Sequence, residues 1–299
     1  MTQKTPLVSV VTPSFNKGPY IEETIRSILE QTYPNIEYII IDGGSTDGTL
    51  DILKKYGDRI SWISEPDRGQ SDAINKGWKK TKGEIIAYLN ADDTYPRDAV
   101  ETAVAYLNEH PDVGLVYGDG ILTDETRKFL SVYRAGEFSL KELIYCRDNI
   151  LQPALFLRRG VYEKIGGIDE SLHLAMDLDY WIRAGLHFRI AYLPHVLATA
   201  KIYGDAKSVA LMHKYVSDYE HILEKVFADP HLPPELAAEK KAVYNFVYVK
   251  GGLDFIHLGM HREGMRYLWM AFRRGPTGCL KNSLTLIIQY IARRNSILL

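Results

Sequence analysis

Four short apolar runs, each followed by a helical stretch, dominate the first hundred residues and leave few folds open. The runs are Leu7-Val8-Ser9-Val10-Val11-Thr12, Ile36-Glu37-Tyr38-Ile39-Ile40-Ile41, Ile60-Ser61-Trp62-Ile63-Ser64 and Glu84-Ile85-Ile86-Ala87-Tyr88-Leu89. They are nearly continuous in apolar character and rich in β-branched residues, as strands buried on both faces are. Helices are predicted between them over 19–31, 50–56 and 70–80, and another starts near Pro96. Pro19 opens the first of these in the first-turn position that proline tolerates. Strands alternating with helices imply an α/β fold, with a parallel sheet covered on both sides.

Beyond this region the pattern changes twice. From about 113 to 203 it is mixed, with strands predicted at Val113-Gly114-Leu115-Val116-Tyr117 and Ala154-Leu155-Phe156-Leu157, and a helix over 177–185. After about Gly204 it reads as helical, with a hairpin of helices over 235–257 and 260–273 broken by Gly259. A chain of 299 residues suits one large domain or two modest ones. The shift near residue 205 is the natural boundary, giving regions 1–205 and 206–299.

Composition narrows the setting. Cys146 and Cys279 are the only cysteines, too few for a disulfide framework or a cysteine metal site. The first residues, Met1-Thr2-Gln3-Lys4-Thr5-Pro6, have no apolar signal core, and no run approaches the roughly 18 apolar residues of a spanning helix. A cytoplasmic setting is expected. The formal charge of −2 hides an asymmetry. Of 36 basic and 38 acidic residues, positions 261–299 hold seven and one, leaving 29 and 37 in the first 260. A basic tail on an acidic body suggests an anionic partner, most simply the inner face of the plasma membrane, bound peripherally. No nucleic-acid recognition motif is present, so no nucleic-acid partner is expected.

The polar residues gather at the strand ends. Asp42-Gly43-Gly44-Ser45-Thr46-Asp47-Gly48 follows the second strand, and its glycines allow a ligand close to backbone N–H groups. Thr46 or Asp47 can cap the next helix, whose positive end favours an anion. Neither the P-loop nor the dinucleotide fingerprint is present. After the first strand the chain reads Thr12-Pro13-Ser14-Phe15-Asn16, where Pro13 and Phe15 could wall a nucleotide base. Glu65-Pro66-Asp67-Arg68-Gly69-Gln70-Ser71-Asp72 follows the third strand, and Asn90-Ala91-Asp92-Asp93 the fourth. Each loop alone reads equally well as a turn or a helix cap. Four at one sheet edge, where open α/β sheets bind ligands, point to a convergent polar site. Adjacent carboxylates there suit a hard divalent cation that bridges a diphosphate. Further on, Asp177 and Asp179 lie two apart on a predicted helix, about 200° from each other, so one of them at most faces a given ligand.

Six segments in this order resemble family 2 inverting glycosyltransferases with the GT-A fold. They are Pro13-Ser14-Phe15-Asn16, 42–47, 65–77, 90–93, Gly166-Gly167-Ile168-Asp169-Glu170 and 177–183, and the resemblance spans about residues 6–205. It looks most like members that build bacterial O-antigens and other surface polysaccharides. It implies a mixed, mainly parallel GT-A sheet over 1–205 with a helical appendage over 206–299. It implies Asp177 as catalytic base, Asp92 and Asp93 as ligands of Mg²⁺ or Mn²⁺, and Trp181 and Gln152 beside the acceptor. Pro13, Phe15, Asn16, Asp42, Gly44, Asp67, Asn75, Asn90, Ala91 and Asp92 would hold the donor, a UDP-, GDP- or dTDP-linked sugar. The implied acceptor is a saccharide, free or lipid-linked. Four positions depart from the pattern. Many relatives carry two acids at Asp42-Gly43, Asp at Asn90, Glu at Met176, and Arg-x-His where this chain has Lys201-Ile202-Tyr203.

Two other classes fit the same plan. A sugar-phosphate nucleotidyltransferase would carry a Gly-rich loop with basic residues after the first strand, where this chain has only Lys17. A non-catalytic nucleotide-sugar-binding protein would be expected to lack an acid at 92, 93 or 177, and all three are present.

Overall fold

β1 (Val8–Ser14), β2 (Ile36–Asp42), β3 (Ser61–Ser64) and β4 (Ile85–Tyr88) form where the apolar runs predict them. In the computed structural model, which describes residues 5–147, 150–172, 174–202 and 215–277, these four strands are parallel. Beside them lie β5 (Val113–Thr123), β6 (Phe129–Tyr133), β7 (Leu155–Arg158) and β8 (Arg189–Lys201). The sheet order is β3-β2-β1-β4-β7-β5-β6, with β8 paired to β5. β7 runs antiparallel to β4 and β5, β6 runs antiparallel to β5, and β8 is parallel to β5. The mixed, mainly parallel sheet is the one expected.

Register and chain order locate the binding edge. Ser14 pairs with Asp42 and Asp42 with Ser64, so three strands end in one row. The chain steps outward from β1 to β2 and β3, then returns to lay β4 on the other side of β1. This reversal opens a crevice at the carboxyl ends of β1 and β4.

Helices cover both faces. α1 (Gly18–Leu29) buries Ile21, Ile25 and Ile28 in the cluster that holds Val8, Val10, Ile40, Ile85 and Phe156. On the other face α3 (Gln70–Lys80) lies very close to β1 at Gly77, where a Cβ would fall 2.3 Å from Val11 Cγ1. α2 (Thr49–Lys55) and α4 (Ala99–Glu109) join α1, burying Leu53, Val100, Ala103 and Leu107 in the same cluster, while α6 (Arg159–Ile165) and α7 (Met176–Gly185) set Tyr162 and Tyr180 against Trp78 of α3, and α5 (Leu140–Ile144) falls between β6 and β7 in sequence.

Local pattern gives no strand for β8 and runs two helices together over 235–257. β8 has no clean alternation, because its pairing with β5 shifts register three times and Pro194 interrupts it. The 235–257 stretch divides into α9 (Pro234–Ala237) and α10 (Lys240–His257).

Clustering of contacts divides the chain into two compact units. Among described residues the first contains 5–138, 150–172 and 176–202, and the second 139–147, 174–175 and 215–277. The second unit consists of α5, α8 (Tyr215–Val226), α9, α10 and α11 (His261–Arg274). Its mid-chain segments are tied in by buried polar bonds. Tyr219 Oη donates to Leu143 O, and Asp218 Oδ2 accepts from Leu174 N at 2.7 Å. α10 and α11 cross closely at Gly252 and Gly264, where a Cβ on Gly264 would come within 2.7 Å of Gly252 O.

Candidate active site

Asp42 builds the loop after β2. It is fully buried, and its carboxylate accepts from Gly44 N at 3.0 Å, Ser45 N at 2.9 Å, Ser45 Oγ at 2.5 Å and Ser64 Oγ at 2.7 Å. Gly44 supplies the turn with φ +86°. That loop is bonded to the one after β1. Asn16 N donates to Ser45 Oγ at 2.7 Å, Thr46 N to Asn16 Oδ1 at 2.9 Å, and Gly18 N to Asp47 Oδ2 at 2.8 Å. The cap of α2 itself is Gly48, while Asp47 Oδ1 accepts from Thr49 N at 3.1 Å. The two glycine- and asparagine-rich loops therefore form one rigid ledge. Phe15 projects from it, 59% exposed, whereas Pro13 is buried within β1. Asp67 reaches over the ledge from the loop after β3, with Oδ2 2.7 Å from where a Gly43 Cβ would stand.

The 90–93 turn closes β4 beside this ledge. Asn90 Nδ2 donates to Asp93 Oδ2 at 3.2 Å and to Gln152 Oε1 at 3.0 Å, and its Oδ1 accepts from Gln70 Nε2 at 2.7 Å. Gln152 Nε2 in turn donates to Tyr88 O at 3.1 Å. Asp93 is 5% exposed, with Oδ1 taking the Lys201 N–H at 3.1 Å. Burial, followed by the charge of Asp92, pushes its carboxyl up to about 7. Asp92 is held by Lys17, whose Nζ lies 2.7 Å from Oδ2. Burial, then the charge of Arg127, hold Lys201 below the usual lysine range. Two adjacent carboxylates, one of them buried and raised, form a donor set that a hard divalent cation would relieve.

α7 separates its two aspartates as the 200° spacing requires. Asp177 is half-buried and accepts a hydrogen bond from Tyr88 Oη at the end of β4. Asp179, 1% exposed, faces the other way and pairs with Arg183 at 2.7 Å. Arg183 carries that charge onward to Ile165 O at 2.8 Å and Gly167 O at 2.9 Å. Asp179 thus braces the 165–167 loop, and Asp177 is the acid linked to the strand ends.

Asn16, Asp42, Gly44, Asp67, Asn90, Ala91, Asp92, Asp93, Gln152 and Asp177 lie at or next to the strand ends. Asn75 does not join them. Its amide clamps the loop before α7, accepting from Ile168 N at 2.9 Å and donating to Ile168 O at 2.9 Å and Glu170 Oε1 at 3.0 Å. Trp181 is buried on α7. Tyr203 lies outside the described residues. Tyr88 carries no signal in the sequence. Lys17 stands out there only as a cation at a strand end and Lys201 only as a departure from Arg-x-His, and nothing local pairs the first with Asp92 or the second with Asp93.

Comparison with known proteins gives a consistent result. Residues 9–166 match the family described as Glycosyl transferase family 2. An uncharacterized glycosyltransferase of Rickettsia typhi is 31% identical over 223 residues, covering 72% of this chain and 70% of the relative. A PGL/p-HBAD biosynthesis glycosyltransferase of Mycobacterium tuberculosis is 33% identical over 183 residues, covering 60% of this chain and 69% of that protein. The structure of S. aureus TarS 1–349 in complex with UDP-GlcNAc superposes with a TM-score of 0.71, over 96% of this chain and 92% of that one, at 19% identity. This chain spans 55% of a longer TarS chain. The mannosyltransferase PcManGT from Pyrobaculum calidifontis, in complex with GDP-Man and Mn²⁺, superposes with a TM-score of 0.64, over 98% of this chain and 83% of that one, at 22% identity. At these identities the structural likeness is one of fold.

Proposed function

This chain belongs to glycosyl transferase family 2, with a GT-A-type fold, and we propose that it transfers a sugar from a nucleoside-diphosphate donor to a saccharide acceptor with inversion, in bacterial surface polysaccharide assembly. One observation carries the reading. The acidic turn after β4 and the acid on α7 converge on the strand ends, joined through Tyr88. The relatives' printed ligands, UDP-GlcNAc and GDP-Man, support a nucleotide-sugar donor.

On this reading region 1–205 is the catalytic domain and 206–299 a helical appendage. Asp177 takes the acceptor hydroxyl proton as that oxygen attacks the anomeric carbon. The bond from that carbon to the diphosphate breaks, and its electron pair leaves with the diphosphate. The Tyr88 hydroxyl donates to Asp177 Oδ1 and so fixes the orientation of the carboxylate. Asp92 and Asp93 would hold Mg²⁺ or Mn²⁺, which supplies positive charge against the diphosphate. Phe15 and the ledge around Asn16, Asp42, Gly44 and Asp67 seat the nucleoside, Gln152 is assigned to the acceptor, and the buried Trp181 would act there through packing on α7.

Thermal shift with a panel of UDP-, GDP- and dTDP-sugars tests this reading. One donor class, near 100 times its Kd, should stabilise the protein by about 2.7 kcal/mol, a shift of several degrees. EDTA should abolish the shift, and the same donor should release nucleoside diphosphate. A panel with no stabilising member in Mn²⁺ or Mg²⁺ would reject the assignment.

A lipid-linked acceptor would explain the basic end of the chain. Lys281, Arg293, Arg294 and the apolar 284–291 stretch lie outside the described residues. Within α11, however, Met265, Trp269 and Phe272 form one stripe, 61%, 57% and 50% exposed. Arg262, Arg266 and Arg273 run alongside it on the helix surface. This is the arrangement of a helix lying in a membrane interface. Among described residues no helix is long and apolar enough to cross a membrane. The protein should sediment with anionic liposomes at low salt, and Trp269→Ala with Phe272→Ala should cut that binding at least about tenfold, given the apolar area removed. Absence of sedimentation would leave α11 to a protein contact instead.

A further inference from the structure

The hairpin from β5 to β6 turns over residues 124–128, and its geometry singles out Arg127. Asp124 builds the turn, its Oδ1 accepting from Thr126 N at 2.8 Å, Thr126 Oγ1 at 2.7 Å and Lys128 N at 2.9 Å. The Asp124 amide donates to Lys128 O at 3.0 Å. This geometry holds Arg127 at φ +66°. That left-handed conformation suits glycine or asparagine and is disfavoured for a long side chain. A residue kept there against its backbone preference points to a use for its side chain.

The side chain is turned inward. Nε donates to Glu23 Oε2 at 2.5 Å, while Nη1 and Nη2 are buried without a hydrogen-bond partner among the described residues. Thr123 Oγ1 is likewise buried without a partner, and Thr123 is the register partner of Lys201. Lys201 Nζ lies 4.1 Å from the Tyr20 ring centroid and 4.0 Å from the same Glu23 oxygen. Its backbone N–H is the one that Asp93 accepts. Two cations therefore share one carboxylate immediately beside the acidic turn. Buried guanidinium donors are ordinarily satisfied. Two unsatisfied ones, with an unsatisfied hydroxyl and an adjacent ammonium, make a receptor for an oxyanion.

We propose that Arg127, together with Thr123 and Lys201, receives the sugar-proximal phosphate of the donor diphosphate. This rests on the glycosyltransferase reading above. As the bond to the anomeric carbon breaks, its electron pair stays on that phosphate oxygen. A guanidinium already fixed and desolvated there meets the growing charge without reorganising. Its planar fork can bond two phosphate oxygens at once, which an ammonium cannot.

Calorimetry with a nucleoside diphosphate and the matching monophosphate (UDP with UMP, GDP with GMP) in Mn²⁺ tests the assignment. The wild type should prefer the diphosphate at least about tenfold. Arg127→Gly removes the fork and relieves the backbone, so Tm should hold or rise. Its diphosphate affinity should fall to near that of the monophosphate, whose own affinity should not change. Arg127→Lys should recover part of the preference. A glycine variant that keeps the full preference overturns the proposal. So does one that loses both nucleotides together with Tm, which marks a structural role. A wild type that binds neither nucleotide removes the underlying glycosyltransferase reading, and this proposal with it.

Discussion

Asp177→Asn should lower kcat by about 10²–10⁴, the usual worth of a general base, with donor affinity kept within about twofold. The substitution keeps the shape of the side chain and the acceptor oxygen for Tyr88, and removes only the basicity. Asp179→Asn is the control. It leaves the half-buried Arg183 beside a neutral amide and loosens the 165–167 loop that Arg183 holds. Breaking a fully buried pair costs about 3–5 kcal/mol, which is the upper bound for this half-buried one, so Asp179→Asn should lower Tm. Single-turnover measurements below both transition temperatures separate the two effects. If Asp179→Asn abolishes the chemical step while Asp177→Asn turns over normally, the base has been assigned to the wrong face of α7.

Asp93→Ala should abolish turnover and remove the Mn²⁺ dependence of nucleoside-diphosphate binding. The reason lies in the folded protein's proton balance. Asp93 is nearly inaccessible and sits beside Asp92, so its carboxyl is raised to about 7 from an ordinary value of 3.8. The folded state then binds more protons than the unfolded state between those two values. Metal-free protein should lose stability as pH rises from about 4 through 7, by an amount on the order of a few kcal/mol. A cation that takes the place of the proton should stabilise little at pH 5 and strongly at pH 8. In Asp93→Ala both the pH slope and the cation effect should shrink together. Scanning calorimetry with and without Mn²⁺ across this range decides the matter. An unchanged metal-dependent affinity in the variant would move the cation site elsewhere.

Much of this architecture is visible one element at a time. The four parallel strands and α1 to α3 come from apolar runs and proline or glycine punctuation, which act within a few residues. The loops at the strand ends are legible for the same reason, because a parallel sheet must bring the carboxyl ends of its strands to one edge. Asn75 illustrates the limit. Its place in a conspicuous segment suggested a ligand contact, yet its amide is fully engaged by Ile168 and Glu170, about 93 to 95 residues away. Nothing in local spacing distinguishes an amide that binds a ligand from one that clamps a loop.

The fold class, the edge at which the parallel strands end and the acidic loops along it are all legible in the sequence. These follow from periodicity, turn chemistry and the geometry of parallel strands, all local properties. Which charges meet is settled by the long-range packing of the chain. It sets Lys17 against Asp92 across 75 residues, lays the Lys201 amide on Asp93 across 108, and brings Arg127 to Glu23 across 104. It also sets the two acids of α7 apart, giving Asp177 the Tyr88 hydroxyl and Asp179 the Arg183 guanidinium. Such pairings depend on β8 lying parallel to β5 and on the turn after β5 bringing Arg127 to Glu23 of α1. Long-range strand pairing is settled by burial and register over the whole sheet, and no window of a few residues contains it.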